Sequence, residues 1–183
     1  MKVYVDSDSF LTKMRNLVLR AAIKRNLDIT FIADRSLKDV VIARDEHTGI
    51  LRMTAIKENN DLSNEKIKLI QSSIKMIVVE SGSDSADDKL VELAKAGDLA
   101  ITHDVPLIDR LAEKGVLVLD DRGNIFTDEN IKERLSLRNA MTELRSYGIN
   151  VEKHKKMGNT EVRKFADAFS KTLDKYKKEL RQK

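Results

Sequence analysis

Aspartates recur where this sequence passes from an apolar run into a loop or helix. Val3-Tyr4-Val5 leads straight into Asp6-Ser7-Asp8, and the two-residue period of a strand puts both carboxylates on one side if the extended geometry continues. Met76-Ile77-Val78-Val79 is followed by a serine- and aspartate-rich stretch in which Asp84 and Asp87 stand three apart at a helix start and share a face. Asp98 precedes the run Leu99-Ala100-Ile101-Thr102, and Asp104 closes it directly before Val105-Pro106. In an open parallel sheet, sites form beyond the carboxyl ends of the strands. Carboxylates gathered there raise one another's pKa unless a cation neutralises them. An all-oxygen ligand set suits hard Mg²⁺ or Mn²⁺, ions that bind phosphates and generate a hydroxide nucleophile, which points to phosphodiester hydrolysis. Helix capping is the competing explanation for Asp8, Ser83, Asp84, Asp87 and Asp88, since Asp and Ser are favoured N-caps. Capping leaves Asp6, together with acids after two other strands, unexplained.

The elements that must position these residues are legible as alternating patterns. Strands are expected at Val3–Val5, Ile29–Ala33, Met76–Val79, Leu99–Thr102 and Val116–Leu119, with helical periodicity from Phe10 to Ala22 and over 63–73, 85–96 and 105–114. Such βα alternation predicts an α/β fold with a mainly parallel central sheet covered by helices in three layers. Val40-Val41-Ile42 and Ile50-Leu51-Arg52-Met53 around Thr48-Gly49 suggest a hairpin inserted within about 36–75. Two helices are expected near the end, over 128–147 and 160–181. In the second, Val162, Phe165, Ala166, Phe169, Leu173, Tyr176 and Leu180 form a core-facing stripe. A length of 183 residues fits one domain with a basic C-terminal extension from about 150.

Composition narrows the function classes. There is no Cys, which excludes a disulfide framework, a thiolate metal site and a cysteine nucleophile. Neither a P-loop nor a Gly-rich dinucleotide fingerprint is present, and His47, His103 and His154 are too scattered for a zinc triad. No apolar run reaches the ~18 residues of a membrane span, and the opening meets a charge too early for a signal-peptide core, so a soluble cytoplasmic protein is expected. The net charge of +4 is unevenly spread: residues 150–183 hold 11 Lys+Arg against 5 Asp+Glu, and residues 1–149 hold 23 against 25. A basic tail of this kind offers salt-sensitive, sequence-independent contacts to phosphates. The candidates are Lys153, Lys155, Lys156, Arg163 and Lys164, joined by Arg122 in the turn after the last strand, whose guanidinium suits bidentate phosphate binding.

Several of these segments carry a resemblance when taken in order. Val3-Tyr4-Val5-Asp6-Ser7-Asp8, Gly82-Ser83-Asp84-Ser85-Ala86-Asp87, Gly97-Asp98 through Pro106-Leu107, Asp121-Arg122-Gly123, Asn130-Ile131, Arg138 and Leu144-Arg145 with Gly148 resemble the YaiI/YqxD family of uncharacterised bacterial proteins. The resemblance covers most of residues 1–148 and implies a single PIN-like domain over 1–183. Better-known proteins of that fold are metal-dependent nucleases with acids at the carboxyl edge of a parallel sheet. Carried over by position, the resemblance implies catalytic roles for Asp6, Asp87 and Asp104, with Asp8, Asp84 and Asp98 completing a set of metal ligands for Mg²⁺ or Mn²⁺. The sequence departs from the family pattern at Ser9-Phe10-Leu11, where alanine, cysteine and proline are usual, and at Asp120-Asp121-Arg122-Gly123, where the family has N-P-R-G.

The leading expectation is therefore a Mg²⁺- or Mn²⁺-dependent nuclease acting on RNA rather than DNA. Two other classes stay open. Asp6-Ser7-Asp8 after a strand also resembles the opening of aspartyl-nucleophile phosphohydrolases, although Asp98 precedes a strand where their closing acid follows one. The third is a nucleic-acid-binding protein without catalysis, its acids serving as caps.

Overall fold

A computed structural model describes residues 1–8, 10–59, 62–80, 82, 85–148 and 157–181. The chain divides into two compact units, Lys2–Leu90 and Val91–Lys183 with Met1, each with a three-stranded, mainly parallel run of sheet. The expected α/β class, PIN-like with C-terminal helices, holds.

In the first unit the strand order is β3-β2-β1. β1 (Val3–Asp6) and β2 (Ile29–Ala33) run parallel with Asp6 opposite Ile32, and β3 (Ile74–Val78) pairs with the other side of β2. Both β1 and β2 are buried along their whole length, so they read as largely apolar runs, broken only by Asp6 and Thr30, instead of alternating ones. α1 (Thr12–Arg25) buries Met14, Val18 and Ala22, spaced four apart on one face, and ends at Asn26 in the left-handed conformation. α2 (Lys38–Glu58), α3 (Asn64–Leu69) and the first six residues of α4 (Ser85–Leu93) complete the unit.

The expected hairpin is absent. Residues 38–58 form one helix of 21 residues, with Thr48 and Gly49 in its middle. Val40, Ala43 and His47 are its buried positions, and their spacing of three and four is helical. The β-branched run Val40-Val41-Ile42 and the Thr-Gly pair favour strand and turn locally, but burial of that face decides the outcome. His47 also bonds Ser72 Oγ at 2.9 Å, and Arg15 pairs with Asp39 at 2.7 Å while donating to the Phe10 carbonyl, which ties α1 to the first turn of α2. A Cβ on Gly49 would meet nothing within 4 Å. Gly49→Ala should therefore stabilise the protein by about 0.5–1 kcal/mol, the helix-propensity difference. Urea denaturation measures it, and destabilisation would restore the turn.

In the second unit the order is β4-β5-β6. β4 (Leu99–Ile101) and β5 (Leu117–Leu119) are parallel, with α5 (Val105–Glu113) between them in sequence. β6 (Ile125–Phe126) turns back antiparallel to β5, a two-residue strand too short to register in a periodicity pattern. α6 (Asp128–Ser146) opens with a capping box between Thr127 and Asn130. α7 (Asn159–Arg181) buries Phe165, Phe169 and Leu173, as its stripe predicts, and the two Phe rings stack with centroids 5.9 Å apart. The Met1 ammonium bonds the Tyr176 hydroxyl of this helix. Among the described residues no helix is long and apolar enough to cross a membrane.

Candidate functional site

In the first unit, acids collect where β1 and β2 end. Asp6 is the last residue of β1 and only 8% exposed. Ser7 continues the pairing through its backbone N–H to the Ile32 carbonyl, and its hydroxyl donates to the Val5 carbonyl. Asp8 does not cap α1, whose N-cap is Leu11 without a side-chain bond. Instead its carboxylate accepts the backbone N–H of Asp34, at 3.0 and 3.2 Å to its two oxygens. Burial pushes the Asp8 carboxyl above its ordinary range. The Asp34 side chain and the charge of Asp6 push the same way, against the pull of the Asp34 N–H. Arg35 partly offsets this crowding, 2.8 Å from Asp34 and 3.6 Å from Asp8. Asp34 escapes the sequence reading, yet it follows β2 immediately, so the rule that picks out Asp104 after β4 identifies it as well. Asp87 lies in the first turn of α4 with Asp88. Asp84 lies outside the described residues.

In the second unit, Asp98 and Asp104 stand at opposite ends of β4. Asp98 accepts the Lys95 N–H at 3.1 Å and closes the turn before the strand. Asp104 follows the strand's carboxyl end. Six residues of roughly extended chain, up to about 20 Å, separate them, so one ion cannot take both, and Asp98 leaves the expected ligand set. Asp104 is the N-cap of α5: its Oδ2 accepts the Leu107 N–H at 3.2 Å, and Pro106 occupies the first turn. Its own N–H donates to Thr102 Oγ1 at 3.1 Å, while its Oδ1 accepts no hydrogen bond among the described residues.

Beyond β5 the chain makes a tight turn around Asp120. This buried carboxylate accepts the N–H groups of Arg122 (2.9 Å) and Asn124 (2.7 Å) and the Asn124 side-chain amide (2.7 Å). Gly123 in the same turn has φ +83° and lies directly on the backbone of α7, where an added Cβ would meet the Lys164 carbonyl carbon and oxygen at 2.8 Å. Asp120 thus shapes the loop, and Asp121 and Arg122 are what the loop presents.

Asp121 and Arg122 open onto a cavity of about 570 Å³, which His103, Val105 and Asp120 also line. Its other wall is α6, through Arg134, Leu137, Arg138, Met141 and Arg145. Offsets of four, seven and eleven from Arg134 keep Arg138, Met141 and Arg145 on one helical face. The size is that of a site for one small ligand. Burial raises the Asp121 pKa, with Asp120 adding to the shift and His103 and Arg122 opposing it. Sequence reading picks out Arg122 but misses Asp121 as a site residue and the three α6 arginines, although their spacing is visible once the helix is recognised.

Lys164 lies beside Arg122 along a second groove of about 560 Å³, shared with Glu161 and Lys171, whereas Arg163 is exposed elsewhere on α7. Lys153, Lys155 and Lys156 lie outside the described residues. Among the described residues no group of three or more His, Asp or Glu is arranged to hold a metal ion. The oxygen donors of Asp6, Asp8 and Asp34 suit a hard cation in kind; they do not form a complete set in number.

Comparison with known proteins gives a consistent result. Residues 61–175 match the family described as "Uncharacterized BCR, YaiI/YqxD family". A UPF0178 protein of Citrifermentans bemidjiense is 35% identical over 99% of both chains. UPF0178 proteins of Pseudomonas entomophila (97% of this chain, 99% of the relative) and a Geobacter species (99% of both) are each 34% identical. No solved structure matches the chain.

Proposed function

The chain belongs to the YaiI/YqxD family, and we propose that it is a nucleic-acid-directed phosphodiester hydrolase, acting on RNA in preference to DNA. One observation carries the reading: a cavity of about 570 Å³ beyond the ends of β4 and β5 combines four arginines with His103 and Asp121. The arginines supply fixed positive charge and bidentate donors for phosphate oxygens. Asp121, whose burial makes it hold a proton to higher pH than an exposed carboxylate, can protonate a leaving oxygen. Asp104 stands in sequence between two residues of the cavity wall, His103 and Val105, and keeps one carboxylate oxygen free of hydrogen bonds among the described residues.

Mg²⁺ or Mn²⁺ is part of the proposal, with Asp104 as the donor beside the cavity. Mg²⁺ is commonly bound by one or two carboxylates, retained waters and substrate phosphates, without a full protein cage. When bound, such an ion supplies charge neutralisation at phosphate and a water of lowered pKa. The test is calorimetric titration of Mn²⁺ into the chain, alone and with a nucleoside monophosphate present. Binding that strengthens with the nucleotide and disappears in Asp104→Asn is the expected result. Absence of Mn²⁺ binding under both conditions would favour a nucleic-acid-binding protein without metal-dependent catalysis, the second reading that the arginine wall supports.

A further inference from the structure

We propose that the arginine-lined cavity of the second unit receives a terminal phosphate, the phosphomonoester at the end of a single strand. The inference rests on the hydrolase reading for its biological substrate, but its physical basis is separate. Four guanidinium groups, from Arg122, Arg134, Arg138 and Arg145, face two carboxylates, Asp120 and Asp121, which leaves a formal excess of at least two positive charges. Among the described residues no carboxylate forms an ion pair with Arg134, Arg138 or Arg145. Arg134, Arg138 and Arg145, placed together on one helical face, repel one another, and an anionic ligand relieves that repulsion.

The charge of the ligand follows from the same count. A phosphomonoester carries about −1.5 to −2 at pH 7 and three acceptor oxygens, whereas an internal diester carries one negative charge. The dianion answers an excess of at least two better than a single charge does, and its additional oxygen gives a second guanidinium fork a place to bind. Shape agrees with charge. The cavity has the volume of a one-ligand site, and Leu137, Met141 and Val105 provide apolar wall for the sugar or base attached to the phosphate. A chain end fits such a site, whereas a continuous strand must pass through it.

Anisotropy titration of labelled single-stranded oligoribonucleotides bearing a 5′-phosphate, a 3′-phosphate or hydroxyls at both ends tests the proposal, with the deoxy series and AMP and pyrophosphate as competitors. One phosphorylated end should bind at least tenfold tighter than the hydroxyl form. The preference should vanish in Arg134→Gln/Arg138→Gln and survive only in part in Arg138→Lys, which keeps charge and loses the fork. Both positions are solvent-exposed on α6, so these variants keep the fold, and circular dichroism checks this. Equal affinity for all ends, or a preference that survives the double substitution, overturns the proposal even if RNA is still bound and cleaved. Displacement by AMP but not pyrophosphate assigns the site to nucleotide ends; displacement by both assigns it to phosphate alone. If no oligonucleotide binds while AMP binds in an Arg138-dependent way, the strand-end proposal is overturned together with the nucleic-acid reading, and the cavity is a mononucleotide site.

Discussion

Asp104→Asn is expected to lower RNA cleavage by at least about 100-fold, the range associated with loss of a positioned acid–base or metal-binding group, while leaving the stability of the protein almost unchanged. The two halves of this prediction come from the two oxygens of one carboxylate. Oδ2 accepts the Leu107 N–H and caps α5, and an Asn carbonyl does the same, since Asn and Asp are equivalent N-caps. Oδ1 has no partner among the described residues, and the substitution takes away its charge. Asp104→Ala loses both and should cost about 1 kcal/mol besides activity. Measured together, cleavage rate and thermal midpoint separate the roles. An Asn variant as active as the wild type reduces Asp104 to a cap.

The second large effect concerns the loop that presents Asp121 and Arg122. Gly123→Ala should destabilise the protein by about 3 kcal/mol or more, lowering the thermal midpoint by roughly 10 °C. Two costs combine. A non-glycine residue at φ +83° costs of order 1–2 kcal/mol, and a Cβ 2.8 Å from the backbone of Lys164 pushes on a helix that cannot yield like a flexible side chain. The displaced helix is α7, where Phe165 and Phe169 are 0% and 1% exposed. Gly97 provides the control, with φ +84° and nothing within 4 Å of an added Cβ, so Gly97→Ala should cost only the conformational part. Equal losses at the two positions would show that the approach of the turn to α7 contributes nothing.

How much of this was legible in the sequence depends on the residue pattern of each part. β2 is read at its true limits because Ile29–Ala33 is an unbroken buried run. α7 is read from its stripe because spacings of three and four recur over five turns. The region 38–58 defeats local reading, since its β-branched run and Thr-Gly pair describe a hairpin while Val40, Ala43 and His47 bury a helical face. The same contest arose with the acids. Asp104, set apart from the capping residues by its place after a strand, is a cap; Asp8, a capping candidate, holds the exit of β2 instead. Pro106 two residues after Asp104 was the available signal, because Pro belongs in a first turn. The cavity was illegible for a different reason: its α6 arginines look like an ordinary solvated helix until a loop from another element is placed opposite them.

Cleavage itself is the most direct measurement of a metal-dependent hydrolase. Single-stranded RNA labelled at one end, incubated with the wild-type chain in Mn²⁺ or Mg²⁺ and in chelator, should be cut only with metal, and DNA more slowly. RNA left intact under every metal, although bound, would contradict hydrolysis and leave a phosphate-binding protein.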